Sequence, residues 1–141
     1  MDTELLPLVS EQALDSLTLQ QATVPDHRRR WVLDDHYPVL VPAHGETTRG
    51  LVIRGLTEEA LNRIIFFEGE EFSLSPIDVQ LDNGSWEAVS YFADNHRKEI
   101  SDSDWSLEEW QRTTKADTMP RVARYMKCYG KMSRAEADAY W

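Results

Sequence analysis

The chain is poor in the residues that build covalent and membrane-spanning structure. It has one cysteine, Cys128, among 141 residues, which excludes an internal disulfide and a metal site made of several thiolates. No run approaches the roughly 18–20 apolar residues that a membrane helix needs. The first ten residues have no basic segment and include Asp2 and Glu4, so no secretory signal is visible. We therefore expect a cytoplasmic protein with no membrane partner.

An excess of basic charge is also missing. The chain has 15 Lys and Arg against 25 Asp and Glu, a net charge of −10. An acidic surface repels phosphate backbones, so we expect no nucleic-acid partner. The short basic run Arg28-Arg29-Arg30 lies in a strand-like segment. We interpret it as a solvated strand face or as a set paired locally with Asp34 and Asp35.

The sequence has no recognisable metal or cofactor motif. Its histidines, His27, His36, His44 and His96, show no metal-ligand spacing. There is no phosphate-binding glycine loop, dinucleotide fingerprint or nucleophile elbow. Asp35-His36 has the form of a base with its orienting carboxylate, but such pairs are more typical of loop contacts. Cys128 falls on the apolar side of a predicted helix and is interpreted as inert packing. We expect no cofactor.

What the sequence does contain is a series of short strands followed by helices. Residues 1–17 form a loosely helical pattern interrupted by Pro7, and residues 18–24 form a strand that ends at Val24-Pro25. Further strands are predicted over 30–32 with 39–41, and over 49–53. Asn83-Gly84 between Ile77–Leu81 and Trp86–Phe92 predicts a β-hairpin.

The predicted helices are placed by capping residues. Thr57 caps a helix that stops at Gly69, and further helices begin near Ser106, Met119 and Ser133. Five or six strands, one mid-chain helix and a helical tail over about 104–141 predict an α+β fold, in which the helix packs across a small mixed β-barrel. The length fits a single domain, 1–141.

Glu68 is the strongest candidate for chemistry. It falls at the C-terminal end of the predicted helix, after Phe66 and Phe67 and directly before Gly69. The negative end of the helix dipole, aromatic neighbours and the nearby acids Glu70-Glu71 would each raise the pKa of this carboxyl. A general base that works near neutral pH needs such a shift. The alternative is an ordinary solvated glutamate at a helix end.

Several segments, in order and spacing, resemble the γ-glutamylcyclotransferase-like family over roughly Pro7 to Phe92. They are Ala22-Thr23-Val24-Pro25-Asp26-His27-Arg28-Arg29, Tyr37-Pro38-Val39-Leu40-Val41-Pro42, Gly50-Leu51-Val52 with Gly55-Leu56-Thr57, and Phe67-Glu68-Gly69-Glu70-Glu71-Phe72. The tail, with Trp105 to Trp110, Met119-Pro120 and Tyr129-Gly130, resembles a longer bacterial variant. That variant precedes tellurite-resistance-associated ADP-ribose pyrophosphatases, whose Nudix signature is not found in this sequence.

The resemblance implies a small barrel with a cavity and a general acid/base at Glu68. The family enzymes cyclise a γ-glutamyl group to 5-oxoproline, release an amine or amino acid, and use no metal or cofactor. The resemblance also implies that Tyr37, Pro38 and Phe72 lie near the cavity and bind the small-molecule γ-glutamyl substrate, with Glu68 directed inward near Tyr37.

The sequence departs from the family at one motif. The first strand of family members ends in a Tyr-Gly-Ser or Tyr-Gly-Thr-Leu loop that binds the substrate, and this chain has none. We therefore expect a domain that lacks its first strand. An unpaired strand edge promotes association, which predicts poor solubility or a homodimer. A non-catalytic ligand-binding or regulatory module of the same fold is the alternative to an enzyme.

Overall fold

The computed structural model of the chain describes residues 2–141 and divides them into two compact units. The helical unit comprises residues 2–17, Gly55–Gly69 and Leu107–Trp141. The sheet unit comprises Thr18–Arg54 and Glu70–Ser106. Helices and an antiparallel sheet in one chain confirm the predicted α+β class.

The sheet unit contains five antiparallel strands arranged around a central strand. The strands are β1 (Thr18–Val32), β2 (Pro38–Arg54), β3 (Phe72–Leu81), β4 (Trp86–Asp94) and β5 (Ile100–Asp104). They run in the order β2-β1-β3-β4, and β5 also pairs with β1. Strand β1 therefore has β2 along one edge and shares its other edge between β3 and β5. The hydrogen bonds join these strands into an open sheet, which is an open form of the predicted barrel.

The predicted hairpin is confirmed as β3 and β4. Its register runs from Phe72 opposite Asp94 to Gln80 opposite Trp86, and Gly84 in the turn has φ 84°. Inward-facing residues of the hairpin and of the β1–β2 pair form the core of this unit. Its members are Ala22, Val79 and Leu81, with Val24, Val52, Ile77 and Val89 packed around them. Alternation of apolar and polar residues along β3 places one face in this core.

Strand β1 does not end at Val24-Pro25 as the sequence predicts. It continues to Val32 because Pro25 lies beside a β-bulge, one of the places in a sheet that tolerates proline. Pro25 is opposite Thr47, whereas His27 is opposite Pro42, so four residues of β2 have no partner on β1 at that point. Asp26 lies between them with φ 53°.

The basic run Arg28-Arg29-Arg30 is paired differently from the prediction. Arg28 forms an ion pair with Asp104 and Arg30 with Asp102, whereas Asp35 pairs with Lys98 at 2.6 Å. The partners lie on β5, which is adjacent to β1 in the sheet although it is distant in sequence. Local pairing with Asp34 and Asp35 was therefore the wrong interpretation.

The helical unit is built from five helices: α1 (Leu5–Ser10), α2 (Glu58–Glu68), α3 (Leu107–Thr113), α4 (Lys115–Met126) and α5 (Arg134–Ala137). Its buried apolar residues come from all of them and include Val9, Ala60, Ile64, Trp110, Val122, Met126 and Ala137. Helix α4 begins and ends earlier than the predicted Met119 to Tyr129 helix. Cys128 is buried and free, which fits its interpretation as inert packing.

Helix α2 has the two ends that the sequence predicts. The Thr57 hydroxyl accepts a hydrogen bond from the Ala60 amide at 3.1 Å, which satisfies one of the unpaired N–H groups of the first turn. At the other end the Gly69 amide bonds to the Ile65 carbonyl, with Gly69 at φ 72°. This backbone conformation favours glycine.

A side chain at residue 69 would also meet a neighbour. The Arg134 guanidinium, at the start of α5, packs directly on Gly69, and a Cβ atom there would overlap it. The Arg134 Nε atom donates to the Tyr125 hydroxyl at 3.3 Å. Gly69 thus ends α2 and makes room for the arginine beside that end.

Replacing Gly69 with alanine should lower the free energy of unfolding by about 1–3 kcal/mol through backbone strain, and the guanidinium end of the flexible Arg134 side chain must also move aside. Gly130→Ala is the matched control, since Gly130 lies in the same unit with φ 70° and nothing within 4 Å of a Cβ. It should show only the strain, about 1–2 kcal/mol. Urea unfolding of both variants measures the difference.

The overlap can be separated from the strain by a double-mutant cycle. In an Arg134→Ala background, Gly69→Ala should cost no more than Gly130→Ala does. Equal costs for Gly69→Ala with and without Arg134 would show that the arginine does not require the glycine.

Candidate functional site

Glu68 is the last residue of α2, and burial has the largest effect on the pKa of its carboxyl. The residue retains some exposed surface, but burial of the carboxyl raises its pKa from 4.5 to about 7. The positive charge of Arg134 acts in the opposite direction and lowers the pKa. A carboxyl with this pKa is populated in both its protonated and ionised forms at neutral pH, so it can accept and donate a proton.

Aromatic side chains surround the end of α2 within the helical unit. The Phe66 ring contacts Tyr125 at 5.2 Å and Tyr129 at 5.4 Å between ring centroids, and the Phe67 ring contacts Trp141 at 6.0 Å. Tyr125 and Trp141 also meet edge to face at 5.6 Å. These rings surround the end of α2 with apolar surface, in keeping with the burial of the carboxyl.

Arg134 is fixed beside Glu68 by its own contacts. It follows Ser133, whose side chain and Glu136 form the predicted capping box of α5. Besides the bond to Tyr125, its Nε atom lies 3.8 Å from the Asp138 carboxylate. The contacts that hold the Arg134 guanidinium on Gly69 therefore also place its positive charge next to Glu68.

The other site residues implied by the resemblance lie in the sheet unit. Tyr37 and Phe72 meet edge to face with ring centroids 5.8 Å apart, and Pro38 begins β2 opposite Trp31. Lys98 lies over the Tyr37 ring at 5.4 Å. Burial raises the pKa of the Tyr37 hydroxyl. Two of the three predicted substrate contacts, Tyr37 and Phe72, are thus in direct contact with each other.

The sequence did not single out several residues that belong to these surroundings. Arg134 acts on the Glu68 carboxyl through its charge and is hydrogen-bonded to Tyr125. Lys98 lies over the Tyr37 ring. The capping box at Ser133 is a local signal for α5, but it gives no information about which helix end Arg134 contacts. Proximity of Glu68 to Tyr37 stays a prediction.

Residues 2–141 contain neither a metal-binding cluster nor a helix that could span a membrane. In this part of the chain no group of three or more His, Cys, Asp or Glu side chains is arranged to bind a metal ion. None of the helices there is both long and apolar enough to cross a membrane.

Comparison with known proteins places this geometry in a family. Residues 5–112 match the family described as Gamma-glutamyl cyclotransferase, AIG2-like. AIG2-like protein A of Arabidopsis thaliana is 29% identical over 112 residues, which cover 78% of this chain and 68% of that protein. AIG2-like protein D of the same plant is 30% identical over 95 residues, which cover 64% of this chain and 62% of that protein.

Solved structures agree in fold. Two solution structures of Arabidopsis thaliana proteins match with TM-scores of 0.62 and 0.59 at 20% and 23% identity. The matches cover 96% and 94% of this chain, and 81% and 88% of the other chains. Since the family match covers most of the chain and the fold agrees with it, this chain belongs to the γ-glutamyl cyclotransferase, AIG2-like family.

Proposed function

We propose that the protein is a γ-glutamylcyclotransferase in which Glu68 is the general acid/base. The observation that carries the proposal is a buried carboxyl with a pKa of about 7, at the glutamate that family resemblance singles out. Few surface carboxyls titrate near neutrality, and such shifts are concentrated at functional sites. The buried, unpaired Cys128 fits the reducing, cytoplasmic compartment that we also propose.

In the proposed reaction the ionised Glu68 carboxyl accepts a proton from the α-amine of a γ-glutamyl group. The amine nitrogen then forms a bond to the γ-carbonyl carbon of the same group, and the bond from that carbon to the leaving nitrogen breaks. The protonated Glu68 returns the proton to the leaving amine. The products are 5-oxoproline and a free amine or amino acid, and the net proton count is unchanged.

The cyclisation requires little beyond correct positioning of the substrate and transfer of a proton. Attack within one molecule gains a large advantage when the substrate is bound in a folded form. The edge-to-face pair of Tyr37 and Phe72, with Pro38 beside it in sequence, is the surface that we propose for holding the γ-glutamyl group. We assign no metal or cofactor to the reaction, because an acid/base group suffices for it.

A second candidate function is a non-catalytic module that binds a γ-glutamyl compound without turnover. The observation that favours it is the contact between Tyr37 and Phe72, whose ring centroids lie 5.8 Å apart, because an aromatic surface can bind a ligand without an acid/base group. Interactions made equally in the bound ground state and in the transition state support binding but not turnover.

The cyclisation predicts that Glu68→Gln abolishes 5-oxoproline release. The amide keeps the shape of the side chain but has no titrating proton, and loss of an acid/base group lowers the rate by about 10²–10⁴-fold. The assay measures 5-oxoproline released from a panel of γ-glutamyl amines and dipeptides. Substrate affinity, measured by calorimetry, should change little.

Glu58→Gln is the matched control, because Glu58 lies on the same helix and is exposed. Glu70→Gln should also cost little, since the carboxylate of Glu70 is exposed and paired with Arg97. Unchanged turnover in Glu68→Gln would contradict the mechanism. Saturable binding of panel compounds without release of 5-oxoproline by the wild type would favour the binding module.

The raised pKa of Glu68 also predicts a pH dependence of stability. A carboxyl whose pKa is higher in the folded state binds a proton more tightly there, so the contribution of Glu68 to stability is fully present below pH 4.5 and is lost as the pH rises through about 7. This loss should be about 3 kcal/mol for the wild type. Glu68→Gln should lack it, as measured by urea unfolding at a series of pH values.

Comparing the stability of the wild type with that of Glu68→Gln isolates the contribution of Glu68, because the two proteins share all other titrating groups. Glu58→Gln should keep the wild-type difference between acidic and neutral pH. If Glu68→Gln and the wild type lose stability in parallel between about pH 4.5 and 7, the carboxyl titrates normally and its burial has no electrostatic cost.

A further inference from the structure

The sheet unit has an open cavity of about 350 Å³ that the cyclisation does not use. It lies where β2 bulges away from β1 and where β5 ends. Its lining includes Arg28 and Arg29 of β1, Thr47 and Arg49 of β2, and Trp105 after β5. Three arginines at one cavity are unusual in a chain with a net charge of −10.

The arginines of β1 differ in their partners. Arg28 is neutralised by Asp104, to which its Nε atom donates at 2.8 Å, and Arg30 is paired with Asp102. Arg29 lies between them, and its guanidinium makes no hydrogen bond or ion pair with residues 2–141. Burial lowers the pKa of its guanidinium, which reflects the cost of a cation without a counter-charge.

Trp105 supplies a second unsatisfied group at the same place. Its ring lies 5.2 Å from the Arg29 guanidinium and meets Trp31 edge to face at 6.0 Å. Its indole Nε1 is buried and has no acceptor among the residues that the structure describes. A buried donor without a partner is destabilising, and the ring that carries it lies against the Arg29 guanidinium at the cavity.

The opposite side of the cavity adds further donors. Arg49 is exposed and makes no ion pair within residues 2–141, and the Thr47 hydroxyl is beside it in the lining. Glu46 is the acidic side chain of the lining that remains once Asp104 is paired with Arg28. Arg29 and Arg49 together outweigh its charge, so the cavity favours an anion.

We propose that this cavity binds a small oxyanion, a carboxylate or phosphate group, through the Arg29 and Arg49 guanidinium groups, with the Trp105 ring beside them. Planar guanidinium groups match the two oxygens of such anions. The residues all belong to the sheet unit, and the proposal does not depend on the chemistry of Glu68.

The test is a titration of the full chain with inorganic phosphate and, separately, with acetate, at constant ionic strength. Binding is followed by the indole N–H signals in ¹⁵N–¹H correlation spectra, with the Trp105 signal assigned from Trp105→Phe. We expect a saturable shift of the Trp105 signal with at least one of the two anions. The anion that gives it identifies the group that the site recognises.

Arg49→Gln should weaken the affinity about tenfold or more, since it removes a charged hydrogen-bond donor. Arg29→Gln should do the same, with circular dichroism to show that the variant is folded. Arg112→Gln, an exposed arginine of α3, makes the same change of net charge and should leave the affinity within about twofold. No saturable shift with either anion, or equal weakening by Arg112→Gln and Arg49→Gln, would overturn the proposal.

Discussion

The environment of Glu68 depends on the absence of a side chain at the next residue. Gly69 has a left-handed φ of 72°, and the Arg134 guanidinium packs on it where a Cβ would stand. The left-handed backbone of Gly69 ends α2 after Glu68, and the guanidinium packed on Gly69 places a cation near the carboxyl. The aromatic rings of Phe66, Phe67 and their partners add apolar surface at the same helix end. Gly69 thus determines where α2 ends and also leaves room for the charge that acts on Glu68, the last residue of the helix.

Burial and nearby positive charge act in opposite directions on the proton affinity of Glu68. Burial disfavours the charged form and raises the pKa, whereas Arg134 favours the charged form and lowers it. The balance at about pKa 7 is suited to a group that must take a proton in one step and return it in the next. An isolated buried glutamate would stay protonated, and a fully paired one would stay ionised. The arginine beside the buried carboxyl is one of the positive charges that lower the pKa towards this intermediate value.

Features encoded by adjacent residues could be predicted from the sequence. The Asn83-Gly84 hairpin, the Thr57 cap and the stop at Gly69 each depend on a few neighbouring residues, and the family resemblance selected Glu68. Contacts between distant segments could not be predicted. Arg28 pairs with Asp104 rather than with the nearby Asp34 or Asp35, because β5 lies next to β1. Arg134 reaches Gly69 by the packing of α5, and Pro25 misled the prediction because a β-bulge tolerates it.

The measurement that tests this account most directly is the titration of the Glu68 carboxyl in the folded wild-type protein. Carbon-detected NMR of ¹³C-labelled protein, with the Glu68 carboxyl signal assigned from Glu68→Gln, gives the pKa of this one group. A carboxyl buried at the end of α2 should titrate with a midpoint near pH 7. A midpoint near the ordinary value of 4.5 would mean that water reaches the carboxyl freely, and would contradict its role as the general acid/base.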